Sequence, residues 1–375
     1  MLTDESRRQD FPALDEMCYL NTAAEGIPPR KVLEALVRYG DDKLLGMDGR
    51  QLHEAQREEA KQQLATTYGL TIDEVGFCSC SSEAYNLAAL ALQLTESDEV
   101  IINDLDFPAG ATPWLQPSCK ANVRVWHARE GALHIEDLVS LLNSKTRLVT
   151  ASLVSFYNGY RIELPAVVEA VQKHSSALLA LDVTQALGRV PLDLAGVDLV
   201  VSSSHKWILA SHGGGLVGVP SLVSERWTVP AGGWFNLSNA FEPNRFERTV
   251  TKPGAASFSV GMPNYPAIYA INAGLNYIQS VGVEAIDEYC RPLMSYCFEE
   301  LKKLPVELIT PERPGGVAGI IAMRHPDADR IYKALHAENV HIMCHAGRLR
   351  VAIHGYNTLQ DLERFIRALH AELKN

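Results

Sequence analysis

From Val75 onward, short apolar runs recur along the chain, separated by stretches in which apolar residues return every third or fourth position. VGFCS, EVIIND, ANVRVWHA, TRLVTASLVS, ALLALDV, VDLVVSSS and GGLVGVP have the length and β-rich content of strands, whereas SEAYNLAALALQL, HIEDLVSLLN and LPAVVEAVQKH have helical spacing. Strands alternating with helices in this way predict a mainly parallel sheet with helices on both faces. Upstream, RKVLEALVRYGDDKLLG predicts a helix with Val32, Leu33, Leu36 and Val37 at helical spacing, and the charge-mixed segment from Gln51 to Thr67 reads as a solvated helix.

The alternation breaks at PAGGWFNLSNAFEP, and from Pro263 the pattern becomes a long helix followed by a smaller α+β unit. The last segment, TLQDLERFIRALHAELKN, opens on Thr358 with Asp361 three residues on, the spacing of an N-cap and its reciprocal partner, and aligns Leu359, Leu362, Phe365, Ile366 and Leu369 on one face. These shifts predict an N-terminal arm over 1–20, a large α/β domain over 21–262 and a small α+β domain over 263–375.

Composition narrows the function classes. With 47% hydrophobic and 21% charged residues, the 375-residue chain is an ordinary globular protein able to bury a large core. Its net charge is −11, without a Lys/Arg cluster that reverses the sign locally, so nucleic acid and anionic membrane are not expected partners. The apolar runs fall far below the roughly 20 residues that span a bilayer, and MLTDESRRQD lacks the apolar centre of a signal peptide. The seven cysteines are scattered and form no CxxC pair, which suits a reducing, cytoplasmic setting. The twelve histidines show neither HExxH nor paired Cys/His spacing, so no metal site is expected.

The candidate chemistry lies in LALDVTQALGRVPLDLAGVDLVVSSSHKW. Asp182 and Lys206 each close an apolar run, which places both at the carboxyl edge of the predicted sheet, where ligands bind in open α/β folds. A lysine at an apolar crevice becomes a usable amine nucleophile because burial disfavours its ammonium form. An aspartate across the crevice can hold a ring nitrogen protonated, and that pairing is what pyridoxal 5′-phosphate chemistry requires.

The ordered set Asp182, Gln185, Ser203, His205 and Lys206, in DVTQ and SSHK, resembles the class V aminotransferase family, whose mark is D-x-x-Q followed by S-x-H-K. The likeness runs from CYLNTAAEG to LRVAIHGYNT and implies fold type I: a mixed, mainly parallel sheet with a smaller C-terminal domain, in a homodimer. It also implies an enzyme acting on a small amino acid through a Schiff base with the cofactor and a Cα carbanion. Elimination of the C–S lyase or desulfurase type, epimerisation and amino transfer all remain open, and a non-catalytic dimeric scaffold is the alternative.

Roles follow from the resemblance position by position. Lys206 would bond the cofactor and shuttle the Cα proton, Asp182 would pair with the ring nitrogen, and Gln185 would donate to the ring's phenolic oxygen. Ser203 and His205 would hold phosphate oxygens, together with Ser81 and Ser82 of CSSEAYN at a helix start, an anion site in its own right. Phe107 would stack on the ring where desulfurases carry His, a departure toward the isopenicillin N epimerase-like branch. Arg350 would clamp the substrate carboxylate. Asn158 is a nearby substrate contact, because the usual Asn position holds Phe156. Met262 stands where a neighbouring subunit usually donates a hydroxyl. Cys344 lies six residues before Arg350, too close for a long persulfide-bearing loop, and is expected to be a structural thiol. His212, His345 and His354 are expected as core or rim histidines.

Overall fold

A computed structural model describes residues 1–312 and 316–374. In chain order the strands are β1 (Cys18–Tyr19), β2 (Val75–Cys78), β3 (Glu99–Asn103), β4 (Asn122–Trp126), β5 (Thr146–Ser152), β6 (Leu178–Asp182), β7 (Leu199–Ser203), β8 (Gly215–Gly218), β9 (Glu307–Leu308), β10 (Ile320–Arg324), β11 (Val340–His341), β12 (Met343–His345) and β13 (Arg348–Ala352). Seven of them form one sheet in the order β2-β8-β7-β6-β5-β3-β4. Every pair from β7 through β4 is parallel, and β8 runs antiparallel to both its neighbours. Strands β6 and β7 are buried at every position, because helices cover both faces, and their apolar runs are therefore continuous rather than alternating.

This order sends the carboxyl ends of β3, β5, β6 and β7 to one edge, so Asn103, Ser152, Asp182 and Ser203 line a common crevice. A second sheet, β12-β13-β10-β9, is antiparallel. The N-terminal strand β1 pairs in parallel with β11, and the Ala352 amide donates to the Leu20 carbonyl at 2.8 Å. These contacts tie residues 18–21 to the second sheet and lay the following turn across the crevice.

Two helices differ from their sequence reading. The helix Arg50–Tyr68 is solvated on one face only: His53, Gln56, Ala60, Leu64, Ala65 and Tyr68 are buried, and it packs on the helix Tyr265–Val281. The Asn272 side-chain amide donates to the buried Gln56 at 3.1 Å and to the exposed Glu59 at 2.8 Å. Buried polar groups that find partners read as surface in a composition window. Conversely, the helix Arg30–Leu44 buries Val32 and Ala35 but leaves Leu33 and Val37 exposed. The C-terminal helix Leu359–Glu372 starts as expected, with Thr358 and Asp361 in a reciprocal cap. No helix among the described residues is long and apolar enough to cross a membrane.

Candidate functional site

Lys206 follows β7 by three residues, and its Nζ lies 5.3 Å from the centroid of the Phe107 ring. Burial lowers its ammonium to about 8, although the nearby Asp182 charge works the other way. A fraction on the order of one tenth of the side chain is then neutral at pH 7, against less than a thousandth for an exposed lysine. Asp182, at the end of β6, is 7% exposed. Burial raises its carboxyl, opposed by hydrogen bonds from Thr184 and by the charge of Lys206. The Thr184 amide donates to Asp182 Oδ1 at 2.8 Å, and the Thr184 hydroxyl accepts the Ser203 amide at 3.1 Å. Thr184 thus ties the tips of β6 and β7 together, a role that DVTQ did not reveal because its partner lies nineteen residues away.

Gln185 is oriented by its neighbours. The Trp207 indole N–H, which can only donate, bonds Gln185 Oε1 at 2.7 Å, and Gln185 Nε2 donates to the Ala23 carbonyl at 3.0 Å. These two bonds leave one Nε2 hydrogen over.

The helix Ser81–Leu92 begins beside the tip of β7, and the Ser203 hydroxyl donates to Ser81 Oγ at 2.9 Å. Ser82, one residue on, is exposed. Neither serine is the N-cap, a place taken by Cys80, whose Sγ accepts the Glu83 amide at 3.5 Å. The helix's first amides have no intrahelical acceptor, which suits an anion. A cavity of about 230 Å³ opens there, lined in part by Cys78, Ser79, Gly213, Gly214 and Met262. Met262 is half exposed and receives an Arg50 guanidinium N–H on its sulfur at 3.3 Å.

His205 is kept neutral, its pKa lowered to about 4 by burial and by the charges of Lys206 and His212. Its ring stacks on that of His212, with centroids 4.5 Å apart. His354, by contrast, is fully buried and bonded to the Trp207 carbonyl at 2.9 Å, a core residue outside the crevice, and His345 is exposed on β12.

On the substrate side, Phe107 meets Phe156 edge to face at 5.0 Å, and the Phe156 carbonyl accepts from Arg350 Nη1 at 2.9 Å. Arg350 is 3% exposed and its Nε is buried without a partner, the state of a donor awaiting an anion. Burial, with Arg348 beside it, lowers the guanidinium to about 9. Arg348 shares this face of β13, packs its guanidinium 4.4 Å from the Tyr157 ring, and escaped sequence reading because alternation along β13 has no meaning until the strand's inner face is known.

One expectation is corrected, and one residue is added. Asn158 is not a substrate contact: its Nδ2 donates to the carbonyls of Gly131 at 2.8 Å and Ile309 at 3.2 Å, and its Oδ1 accepts the Tyr160 amide at 3.1 Å. Both of its amide hydrogens are thus spent on backbone carbonyls. Asp106 was overlooked beside Phe107: its Oδ1 accepts the Ser152 amide at 2.7 Å, and burial, with Asp182 nearby, pushes its carboxyl up to about 7.

Cys344 takes its direction from strand register. It pairs with Leu349, whereas Arg350 pairs with Met343, so the thiol projects from the face opposite Arg348 and Arg350. Its Sγ donates to Asp329 Oδ1 at 3.3 Å, and burial together with that carboxylate pushes the thiol up to about 11.

A buried lysine amine, an acid at the neighbouring strand tip, a hydroxyl-lined helix start and an orphaned guanidinium fit the aldehyde, ring nitrogen, phosphate and substrate carboxylate of pyridoxal 5′-phosphate chemistry. The fold is that of the fold type I enzymes that use this cofactor. It superposes on the apo cysteine desulfurase of Thermococcus onnurineus NA1 with a TM-score of 0.89 over 100% of this chain and 99% of that one, at 20% identity. The cystine C-S lyase C-DES, in complex with cysteine persulfide, matches with a TM-score of 0.87 over 96% of this chain and 99% of that one, also at 20% identity. Residues 18–368 match the family pattern of aminotransferase class-V, and the chain belongs to that family of enzymes. Among its curated relatives, the uncharacterized aminotransferase YcbU of Bacillus subtilis is 25% identical over 98% of both chains. The cysteine desulfurase of Synechococcus elongatus is 26% identical over 96% of this chain and 62% of its own length.

Proposed function

We propose that this chain is a pyridoxal 5′-phosphate enzyme that eliminates the β-substituent of a small sulfur-containing amino acid, a C–S lyase reaction that releases the sulfur without loading it onto an enzyme thiol. The direction of Cys344 carries the reading. A desulfurase needs a nucleophilic thiol facing its substrate, and here that thiol is on the far side of β13, held as a neutral S–H by Asp329. Names among the relatives support the sulfur chemistry, since both desulfurases and a cystine lyase are found there. Retention of a buried Lys, Asp, Gln and Arg set argues against a non-catalytic scaffold, which has no use for an orphaned guanidinium.

The cofactor, when bound, supplies an electron sink for the pair left on Cα. Lys206 would supply the amine that holds the cofactor and would move the Cα proton. Asp182 would keep the ring nitrogen protonated, and the remaining Gln185 N–H would donate to the phenolic oxygen. Ser81, Ser203, His205 and the helix start would hold the phosphate, while Arg350 would fix the carboxylate and so orient the bond to be broken. Phe107 and Phe156 exclude water but donate no proton.

With cystine as substrate the balance is cystine plus water giving pyruvate, ammonia and thiocysteine. The purified holoprotein is incubated with cystine, cysteine and a panel of other amino acids, scoring pyruvate, ammonia, persulfide and loss of optical activity. Pyruvate from a sulfur amino acid, undiminished in Cys344→Ser, is the expected result. Racemisation without pyruvate, or turnover abolished in Cys344→Ser, refutes it.

The homodimer belongs to the same reading. Leu33, Val37, Leu44, Leu45 and Met47 expose apolar side chains from 50% to 86% along one helix and its following turn, a surface that a second copy would cover. Light scattering at micromolar concentration tests it, and a monomer refutes it. The division at 20/21 and 262/263 is retained, supported by the separation of the two sheets along the chain. Limited proteolysis that cuts first within 1–20, or between the sheets, is its expected signature.

A further inference from the structure

Glu25, distant in sequence, meets His205 and His212 at the rim of the crevice. Glu25, His205 and His212 each offer one ligand atom, and those atoms lie within 4.8 Å of one another. His212 Nε2 is 3.1 Å from a Glu25 carboxylate oxygen, and the two imidazole planes are inclined by 16°. Each carrier segment is pinned by its own backbone contact. The Gly26 amide donates to the His205 carbonyl at 2.9 Å, the Tyr19 hydroxyl donates to the Glu25 carbonyl at 2.8 Å, and the Asn264 side-chain amide donates to the Gly213 carbonyl at 3.1 Å. A Cβ on Gly26 would stand 2.0 Å from the Lys206 carbonyl oxygen, so glycine is what lets the Glu25 turn lie so close to His205.

We propose that Glu25, His205 and His212 form a site for a borderline divalent transition ion, with zinc as the reference. Two imidazoles and one carboxylate are the ligands of three-residue zinc sites that leave a fourth position open. Imidazole selects zinc, nickel or copper over magnesium and calcium, which demand oxygen. Ligand atoms about 2.0–2.2 Å from one tetrahedral ion are roughly 3.4 Å apart, a spacing close to that of the Glu25–His212 pair. Completing the set requires the His212 ring to turn out of its stack. Its side chain is 70% exposed, so solvent leaves that rotation free. Preorganised carrier segments with one adjustable ring favour capture of an ion over a rearrangement of the fold. His205 has two ring nitrogens, so the ion and the phosphate would each take one; the inference rests on that reading of His205, and metal stoichiometry is measured separately from turnover.

The purified protein, with cofactor as isolated, is titrated with zinc chloride and separately with magnesium chloride by isothermal calorimetry in a non-chelating buffer. Cys80→Ser is included to remove the exposed thiol at the helix start. One zinc per chain is expected in the wild type and in Cys80→Ser, with no magnesium heat. His212→Ala and Glu25→Gln should each weaken zinc binding at least tenfold, and His174→Ala should leave it unchanged. Zinc binding that survives His212→Ala, or that disappears in Cys80→Ser, overturns the proposal, as does the absence of stoichiometric binding.

Discussion

Replacing Arg350 by Met should move stability and substrate affinity in opposite directions. The guanidinium is 3% exposed, keeps one bond to the Phe156 carbonyl at 2.9 Å, and leaves its Nε without a partner. Its pKa falls well below the ordinary arginine value, to about 9, chiefly by burial. At 1.36 kcal/mol per pH unit, holding the charge there costs on the order of 5 kcal/mol before any anion arrives. The folded chain binds fewer protons than the unfolded one from about 9 up to the ordinary arginine value, so stability rises with pH across that window and the cost is fully present below it. An apolar side chain of similar length removes the cost at neutral pH, and a gain of about 1–3 kcal/mol is reasonable after the lost Phe156 contact is counted. Scanning fluorimetry at pH 7 should then show a melting point a few degrees higher. A carboxylate that pairs with this group makes charge-assisted bonds whose loss costs roughly 3–4 kcal/mol, so kcat/KM for pyruvate release should fall about a hundredfold to a thousandfold. A variant that melts lower and keeps the wild-type kcat/KM would show that Arg350 is a structural cation and that the substrate end of the crevice has been misplaced.

The Lys206 amine should react with an aldehyde probe in the cofactor-free protein along a titration centred near pH 8, below which the ammonium is unreactive. Borohydride trapping and peptide mass spectrometry read the modified fraction against pH, and a midpoint near 10.5 contradicts the burial argument. Trp207→Phe leaves the Gln185 carbonyl buried without its indole donor, and urea unfolding should register a loss of about 1–3 kcal/mol; an unchanged midpoint refutes the orienting role. Glu74 is held down to about 2, since the amides of Thr71 at 2.8 Å and Ser221 at 2.6 Å outweigh the opposing effect of burial. Its contribution is therefore present above pH 4.5 and lost as pH falls toward 2, so the stability gap between wild type and Glu74→Gln should narrow over that interval and stay constant above it.

Local pattern carried much of this protein. The continuous apolar runs of β6 and β7, the helical spacing between strands, and the cap at Thr358 are properties of neighbours in sequence, and DVTQ with SSHK placed Asp182 and Lys206 at the right strand ends because each closes its own run. Partnership across the fold was invisible in that pattern. Asn158 looks like a site residue until Gly131 and Ile309 take its amide hydrogens; Gln56 looks solvated until Asn272 arrives from more than two hundred residues away. Cys344 acquires a direction only when β12 pairs with β13, and Glu25, His205 and His212 become a cluster only when the N-terminal turn crosses the crevice. Periodicity reports which face of an element seeks burial. Hydrogen-bond saturation, register and convergence depend on which distant element comes to lie against it, and only packing decides that.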